Sequence, residues 1–546
     1  MTVTEAPRDV VEVEGEPGPG LPAQPAGLAA LMGSGDPRTV GRLFTGTSLL
    51  FLLMAAVAGV VVGFERTDLA SLDILTAGNA AQVTTLHALA GVFLVVLPLV
   101  LGLAAAIVPL QVGAATLAFP RASVAAFWIY LVSAGLVIAA YVLDGGPYGG
   151  DFDAVVLFLA GFIALIGALL MATISVVTTV LTLRAPGMSL RRAPLFSWSM
   201  LVAGVVWLLV LPVLAAVVLL AYLDLRYGEQ FLGGAGGLYD RIAWVLWQPT
   251  LYAFALPALG IIGSIVPVFA RRRHHRHPAA MALIGLLGAV GFGAWAQPGF
   301  AVGGGAPMEW TNELPWYAVS VMAAIAVLGL LGLWAVTLGR GAPRLRAPLV
   351  ASLLAGLLIA LGVVGGVATF VGDLELVGTT WMTAQTNLVV IGTVVAGFAG
   401  LAFWAPKLYG RLLPAGPVVA GALLLAAGAA ALAVGDGVSG LLDQPRFVTF
   451  LTSDVGALDD QATIEALNLV AAVGSAVVLV GAVVATAAVV MPDLRREPVP
   501  DDPWDGHTLE WATTSPPPVG HFAEIPPVTS EAPLYDARYA PTEAST

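Results

Sequence analysis

Cysteine is absent from the 546 residues. That excludes disulfides, thiolate metal ligands and iron–sulfur clusters. Charge is scarce too, with Asp, Glu, Lys and Arg at 11% of the chain, against the ~25% usual in soluble domains. Within the apolar stretches there is essentially no charged residue at all, so no titratable relay crosses them. Histidine is limited to six positions. No basic start followed by a short apolar core marks a signal peptide, and no internal repeat or polar broken helix marks a transporter. The net charge of −12 sits in loops and tails and does not point to a nucleic-acid partner.

What the chain does have is apolar length. Hydrophobic residues make up 58% of it and mean hydropathy is +0.90. The apolar runs are continuous and near the ~20 residues that a helix needs to cross a bilayer. A barrel strand would alternate instead, and only helices or closed barrels cross lipid. The fold class is therefore all-α: a polytopic membrane protein of twelve transmembrane helices. The expected spans lie near 43–64, 83–110, 124–143, 154–183, 195–222, 242–269, 280–300, 316–338, 349–371, 379–404, 418–434 and 466–491. Residues 1–40 read as a disordered tail rich in Glu, Gly and Pro, residues 41–492 as the membrane domain, and residues 493–546 as an extended Pro-rich tail.

Twelve spans put both termini on one side, and basic residues choose it. Only Arg66, Arg226, Arg241 and Arg446 fall opposite the termini; the other 19 of 23 basic residues (23 − 4) share the terminal side. Both tails are thus expected in the cytoplasm, with the chain in the plasma membrane. The run Arg271-Arg272-Arg273-His274-His275-Arg276-His277 abuts the sixth span there. Its simplest reading is a topology anchor against anionic headgroups, not a metal site.

His87 is the one histidine inside a span. A polar side chain in hydrocarbon needs a partner, and an intramembrane ionisable residue is a functional candidate. The stretch that follows it ends Val108-Pro109-Leu110-Gln111-Val112-Gly113 and then Ala118-Phe119-Pro120-Arg121. These segments resemble subunit I of the haem–copper oxidases, the cytochrome c oxidase type. The resemblance continues collinearly through Arg184-Ala185-Pro186-Gly187-Met188, Pro194-Leu195-Phe196-Ser197-Trp198, Pro249 with Tyr252, Ile265-Val266-Pro267, Trp295-Ala296, Phe403-Trp404-Ala405-Pro406-Lys407, and Thr508-Leu509-Glu510-Trp511 with Ser515-Pro516-Pro517-Pro518. The last of these is similar to the tails of actinobacterial members. The resemblance implies twelve helices in three arcs, with His87 facing the helix that carries Gln385 and Asn387.

It also implies haem and copper, held by six membrane histidines, and here this chain departs from the pattern. The copper-ligand positions fall on Gln248, Gln297 and Pro298, the high-spin haem ligand on Gln385, and one low-spin haem ligand on Asn387. His87 survives as a low-spin haem ligand, Tyr252 as a remnant of the family tyrosine, and Arg446 as a propionate contact whose neighbouring arginine is replaced by Phe447. The family's proton-channel groups fall on Thr116, Thr250 and Leu330, and its His-Asp pair on Gly378 and Thr379. Each survivor has an ordinary reading as well: His87 as an interhelical hydrogen bonder, Tyr252 as a packed phenol, and Arg446 as a loop residue that is solvated or paired with Asp443.

Amides are poor ligands for copper or haem iron. The expectation is therefore a subunit I-like protein with a degenerate oxygen-reducing centre. It would hold no copper and at most one low-spin haem, and act as a scaffold or accessory subunit beside other respiratory-complex subunits in the lipid bilayer. The alternatives are a terminal oxidase passing electrons from cytochrome c to oxygen through altered haem ligation, and a transporter.

Overall fold

The computed structural model describes residues 27, 32–67, 75–229, 231, 237–292, 310–446, 461–491 and 499–539. Among these residues the chain is helical, with one isolated antiparallel bridge between Thr379 and Pro445. Helix α1 (Pro37–Glu65) starts where Asp36 Oδ2 accepts the Thr39 N–H at 2.9 Å and Pro37 opens the first turn. Helix α2 runs as Ala77–Leu89, a π-helical stretch Ala90–Val96, and Leu97–Val112. The wider stretch frees carbonyls from the α-helical ladder. Two of them find hydroxyls: Ser48 Oγ donates to Val95 O at 2.8 Å and Tyr130 Oη to Leu94 O at 3.0 Å.

The remaining helices are α3 (Pro120–Val142), α4 (Phe152–Thr182), α5 (Leu195–Tyr227), α6 (Thr250–Ala270), α7 (His277–Phe292), α8 (Trp310–Gly339), α9 (Ala347–Ala368), α10 (Thr380–Tyr409), α11 (Ala415–Gly440) and α12 (Gln461–Val490). Eleven described helices are long and apolar enough to cross a membrane, and α7 stands at the place of the expected seventh span. The chain is a polytopic helical membrane protein. Regular helix in the sixth span begins only at Thr250, after short turns at Leu238–Ala243 and Trp244–Leu246. Pro249 has no N–H to donate and disfavours helix at the residue before it.

Burial separates inner from outer helices. The apolar windows of α2, α6 and α10 are 94%, 94% and 89% buried, against 39–67% for the other spans. Helix α12 returns against α1, and α11 pairs with α12 along a seam of small residues. A Cβ on Gly428 would lie 2.7 Å from Gly474 O, and one on Gly421 2.8 Å from Ala485 Cβ. In lipid, close backbone approach of this kind replaces the hydrophobic effect as the packing force.

Three expectations from the sequence are corrected here. Helix α1 begins at Pro37, inside the stretch assigned to a disordered tail, because Asp36 caps it. The C-terminal segment is not extended: residues 499–539 fold as a strap across the end of the bundle from which α1 starts. Trp504 Nε1 donates to Phe403 O at 2.9 Å, His521 Nδ1 to Ala114 O at 2.8 Å, and Arg192 Nη1 to Val528 O at 3.0 Å. Proline-rich composition suggests an uncollapsed chain, but regularly placed aromatic and charged side chains dock this one.

The basic run after α6 is not a headgroup anchor alone. His274 and His277 are buried, Arg273 pairs with Asp536 of the strap, and its guanidinium lies 5.9 Å from the Tyr535 ring centroid. Burial, with the charge of His277 beside it, pushes His274 down to about 4. Burial, with Arg538 and Arg273 beside it, pushes His507 down to about 3.

Candidate functional site

His87 lies on α2, one turn before the π-helical stretch. Its Nδ1 is 2.8 Å from Ala55 O on α1. A carbonyl can only accept, so Nδ1 carries the proton and a neutral ring keeps its lone pair on Nε2. Room for the ring comes from Gly59, where a Cβ would sit 2.8 Å from His87 Cε1. The interhelical hydrogen bond expected as the ordinary role of His87 is therefore present, and it occupies only one of the two ring nitrogens.

The ring lines a cavity of about 170 Å³ bounded by α1, α2, α10, α11 and α12. On the same measure roughly 10–15 Å³ holds one water. Most of its wall is apolar: Leu52, Ala55, Val95, Val390, Leu425 and Val478 among others. Its polar groups are His87, Asn387, Arg66, Asp436 and Arg446, with a few hydroxyls. Arg66 Nη1 meets Asp436 Oδ1 at 2.7 Å, Arg66 Nη2 donates to Asn468 Oδ1 at 2.9 Å, and Asn387 Nδ2 donates to Asp436 Oδ2 at 3.5 Å.

Sequence reasoning missed the Asp436 cluster, and the statement that the spans hold essentially no charge is corrected by it. By hydropathy the apolar run ends at Val434, whereas α11 continues to Gly440 and buries Asp436 at 1% exposure. Arg446 is also corrected. It is neither solvated nor paired with Asp443; its guanidinium lies 4.8 Å from the Trp247 ring centroid and lines the cavity. Burial pushes it down to about 10, with Tyr239 opposing.

Gln248, Tyr252 and Gln385 come together on the other side of α10. Tyr252 Oη donates to Gln248 Oε1, and Gln248 Nε2 donates to Gly366 O at 3.1 Å. Gln385 Nε2 donates to Gly365 O at 3.1 Å and to Thr369 Oγ1 at 2.5 Å. All three side chains are buried, at 6%, 1% and 6% exposure. A Cβ on Gly366 would run into Gln248 Oε1 and the Tyr252 hydroxyl. The two amide nitrogens are thus spent on α9 carbonyls and on Thr369, and the Gln248 oxygen on the Tyr252 hydroxyl. Gln297 and Pro298 lie outside the described residues. A copper ion wants imidazole or thiolate donors, and this donor set does not suit one.

The two compartments differ in what they can hold. The His87 cavity offers one imidazole lone pair, apolar walls and guanidinium groups at one end, a combination suited to a flat apolar cofactor with acidic substituents. Those residues fit a haem. Among the described residues the Gln248–Gln385 cluster offers amides and a phenol and no lone-pair nitrogen.

Several segments that carry the sequence resemblance meet at the strap. Glu510 is fully buried, and its Oε1 accepts from Gln111 Nε2 at 3.1 Å and Trp404 Nε1 at 3.3 Å. Gln111 Oε1 accepts from Ser197 Oγ at 2.7 Å. Lys407 Nζ donates to Thr513 O at 2.6 Å and Asp501 O at 3.0 Å, 5.2 Å from the Trp511 ring centroid. These residues close the bundle end and touch neither compartment.

Comparison with known proteins agrees with this architecture. The family described as cytochrome c and quinol oxidase polypeptide I matches residues 39–477. Cytochrome c oxidase subunit 1 of Bacillus subtilis is 30% identical over 514 residues, covering 89% of this chain and 79% of that protein. Cytochrome c oxidase subunit 1 of Bacillus sp. PS3 is 28% identical, covering 90% of this chain and 81% of its own length. That of Alkalihalophilus pseudofirmus is 28% identical, covering 92% and 81%.

Proposed function

Because the chain belongs to the cytochrome c and quinol oxidase polypeptide I family, that of the haem–copper oxidase subunit I proteins, we propose that it is a subunit I-like protein whose oxygen-reducing centre has been replaced by a hydrogen-bonded plug. It serves a respiratory complex of the plasma membrane as a scaffold or accessory subunit, with both tails in the cytoplasm. One observation carries the reading. Tyr252 donates to Gln248, and Gln248 and Gln385 donate separately to the neighbouring α9 carbonyls of Gly366 and Gly365, at the positions where the resemblance puts the family's metal ligands. Amides in place of imidazoles leave no good base for copper or for a second haem iron.

The His87 compartment favours a retained cofactor over complete loss. A haem bound there supplies one-electron redox chemistry. The chain's own residues would do the holding. Ala55 O fixes the His87 tautomer and ring direction, as the other-nitrogen hydrogen bond does for metal-bound histidines generally. Arg446 sets positive charge at one end of the cavity, beside the Arg66–Asp436 pair, and would favour the acidic substituents of a bound haem there. Apolar residues of α1, α11 and α12, among them Leu52, Leu425 and Val478, form part of its wall. An electron-transfer role within a larger oxidase complex is the second reading that this cavity supports.

The test is purification from cells lacking other haem–copper oxidases, with copper content and oxygen uptake measured on the same sample. No copper and no cyanide-sensitive uptake with reduced cytochrome c are expected. Stoichiometric copper with cyanide-sensitive turnover overturns the reading. Orientation is tested with Ser34→Cys in this cysteine-free chain: an impermeant thiol reagent should leave it unlabelled in intact cells and label it in inverted vesicles.

A further inference from the structure

We propose that a haem seated on His87 in this chain is five-coordinate, its second axial face open beside the Asn387 amide to a small uncharged ligand such as carbon monoxide or nitric oxide. The inference rests on the reading that the His87 compartment keeps its prosthetic group, and it concerns what this chain's own residues leave unliganded.

Strong axial ligands are scarce in this chain, and the phenol on the cavity wall, Tyr239, comes from the turn before α6 beside Arg446 rather than from α10. There are six histidines and no cysteine. His274, His275 and His277 lie in the loop and first turn between α6 and α7, and His507 and His521 in the strap, so five of the six stand at the strap end of the bundle. None of those five lines the cavity, and neither does any described methionine. Lys407 is held by strap carbonyls. The Asp436 carboxylate, which does line the cavity, is gripped by Arg66 at 2.7 Å. The side chain that faces His87 from α10 is Asn387, an amide and hence a weak ligand for haem iron.

The same amide is placed to act differently. A polar chain fixes it: Asn468 Oδ1 accepts from Arg66, Arg66 pairs with Asp436, and Asp436 accepts from Asn387 Nδ2 at 3.5 Å. An amide nitrogen carries two hydrogens, so the second remains to donate to a guest in the cavity. A hydrogen-bond donor beside an unliganded iron face, in a largely apolar cavity, is an arrangement that holds a small polarisable molecule.

The experiment uses the full-length protein purified in detergent. Spectra of the dithionite-reduced sample are recorded with and without carbon monoxide, alongside copper content. A high-spin ferrous spectrum whose Soret band shifts with carbon monoxide is expected. Asn387→His supplies the missing imidazole. It should give a six-coordinate low-spin spectrum and lose the carbon monoxide shift, which also places the haem in this cavity. His87→Gly should lose the haem and regain it with added imidazole, which separates loss of ligand from loss of fold.

A wild-type spectrum that is low-spin and inert to carbon monoxide overturns the inference. So does a purified protein without haem, or a carbon monoxide shift unchanged in Asn387→His. Those three outcomes leave the degenerate-centre reading standing, whereas stoichiometric copper defeats that reading by itself.

Discussion

Replacing Glu510 separates the energetics of the strap from those of the membrane bundle. The carboxyl is fully buried and accepts from two buried donors, Gln111 Nε2 and Trp404 Nε1, while its Oε2 has no hydrogen-bond partner. Glu510→Ala strands both donors. Each unsatisfied buried group costs about 1–3 kcal/mol, so docking of residues 499–539 should weaken by about 2–6 kcal/mol. At 1.4 kcal/mol per decade, amide exchange around Thr508–Ala512 should accelerate by roughly 30-fold to 20,000-fold.

Glu510→Gln keeps an acceptor for both donors and should stay within about 1 kcal/mol of the parent. It should also remove a pH dependence. Burial raises the Glu510 pKa above its ordinary value of 4.5, outweighing the hydrogen bonds it accepts from Gln111 and Trp404, and Lys407 is the charged group nearby. The docked strap therefore binds more protons than the undocked one. Its stability is greatest below the ordinary value, falls as pH rises from there to the raised value, and is flat above it. Hydrogen-exchange mass spectrometry across pH 4–8 measures all three proteins. Exchange in Glu510→Ala at the parent rate, or Glu510→Gln as labile as Glu510→Ala, would refute the reasoning.

Two further outcomes follow from the cavity. Gly59→Ala places a methyl 2.8 Å from His87 Cε1. Overpacking of that kind costs roughly 1–3 kcal/mol, and the displaced ring loses its bond to Ala55 O, so haem content on purification should fall well below that of the parent. Asp436→Ala leaves Arg66, whose side chain is 12% exposed, without its carboxylate. Breaking a buried pair costs about 3–5 kcal/mol, so unfolding in a detergent titration should shift to milder conditions, and Arg66→Leu/Asp436→Leu should recover part of the loss.

The sequence alone determined the class of the molecule. Apolar runs of spanning length admit only helices, and the inventory of histidines decides how many imidazole ligands exist, whatever the fold. It also located Gln248, Gln385, Asn387 and His87, since helical register carries collinear segments to matching places. Tertiary structure decided what these residues touch. The pairing of Arg66 with Asp436 spans 370 positions and that of Gln111 with Glu510 spans 399, and no local pattern encodes a partner so distant. A Pro-rich tail reads as loose because its own composition cannot bury it, yet the bundle end supplies donors and aromatic faces for it. Arg446 reads as a loop cation because hydropathy sees only chain neighbours, while Trp247 reaches it from the turn before α6. Likewise, substitution of the ligands is written in the residues, but only packing could make one compartment a plug and the other a cavity. That difference arises because Gln248 and Gln385 find α9 backbone carbonyls within reach, whereas His87 finds the open space that Gly59 leaves.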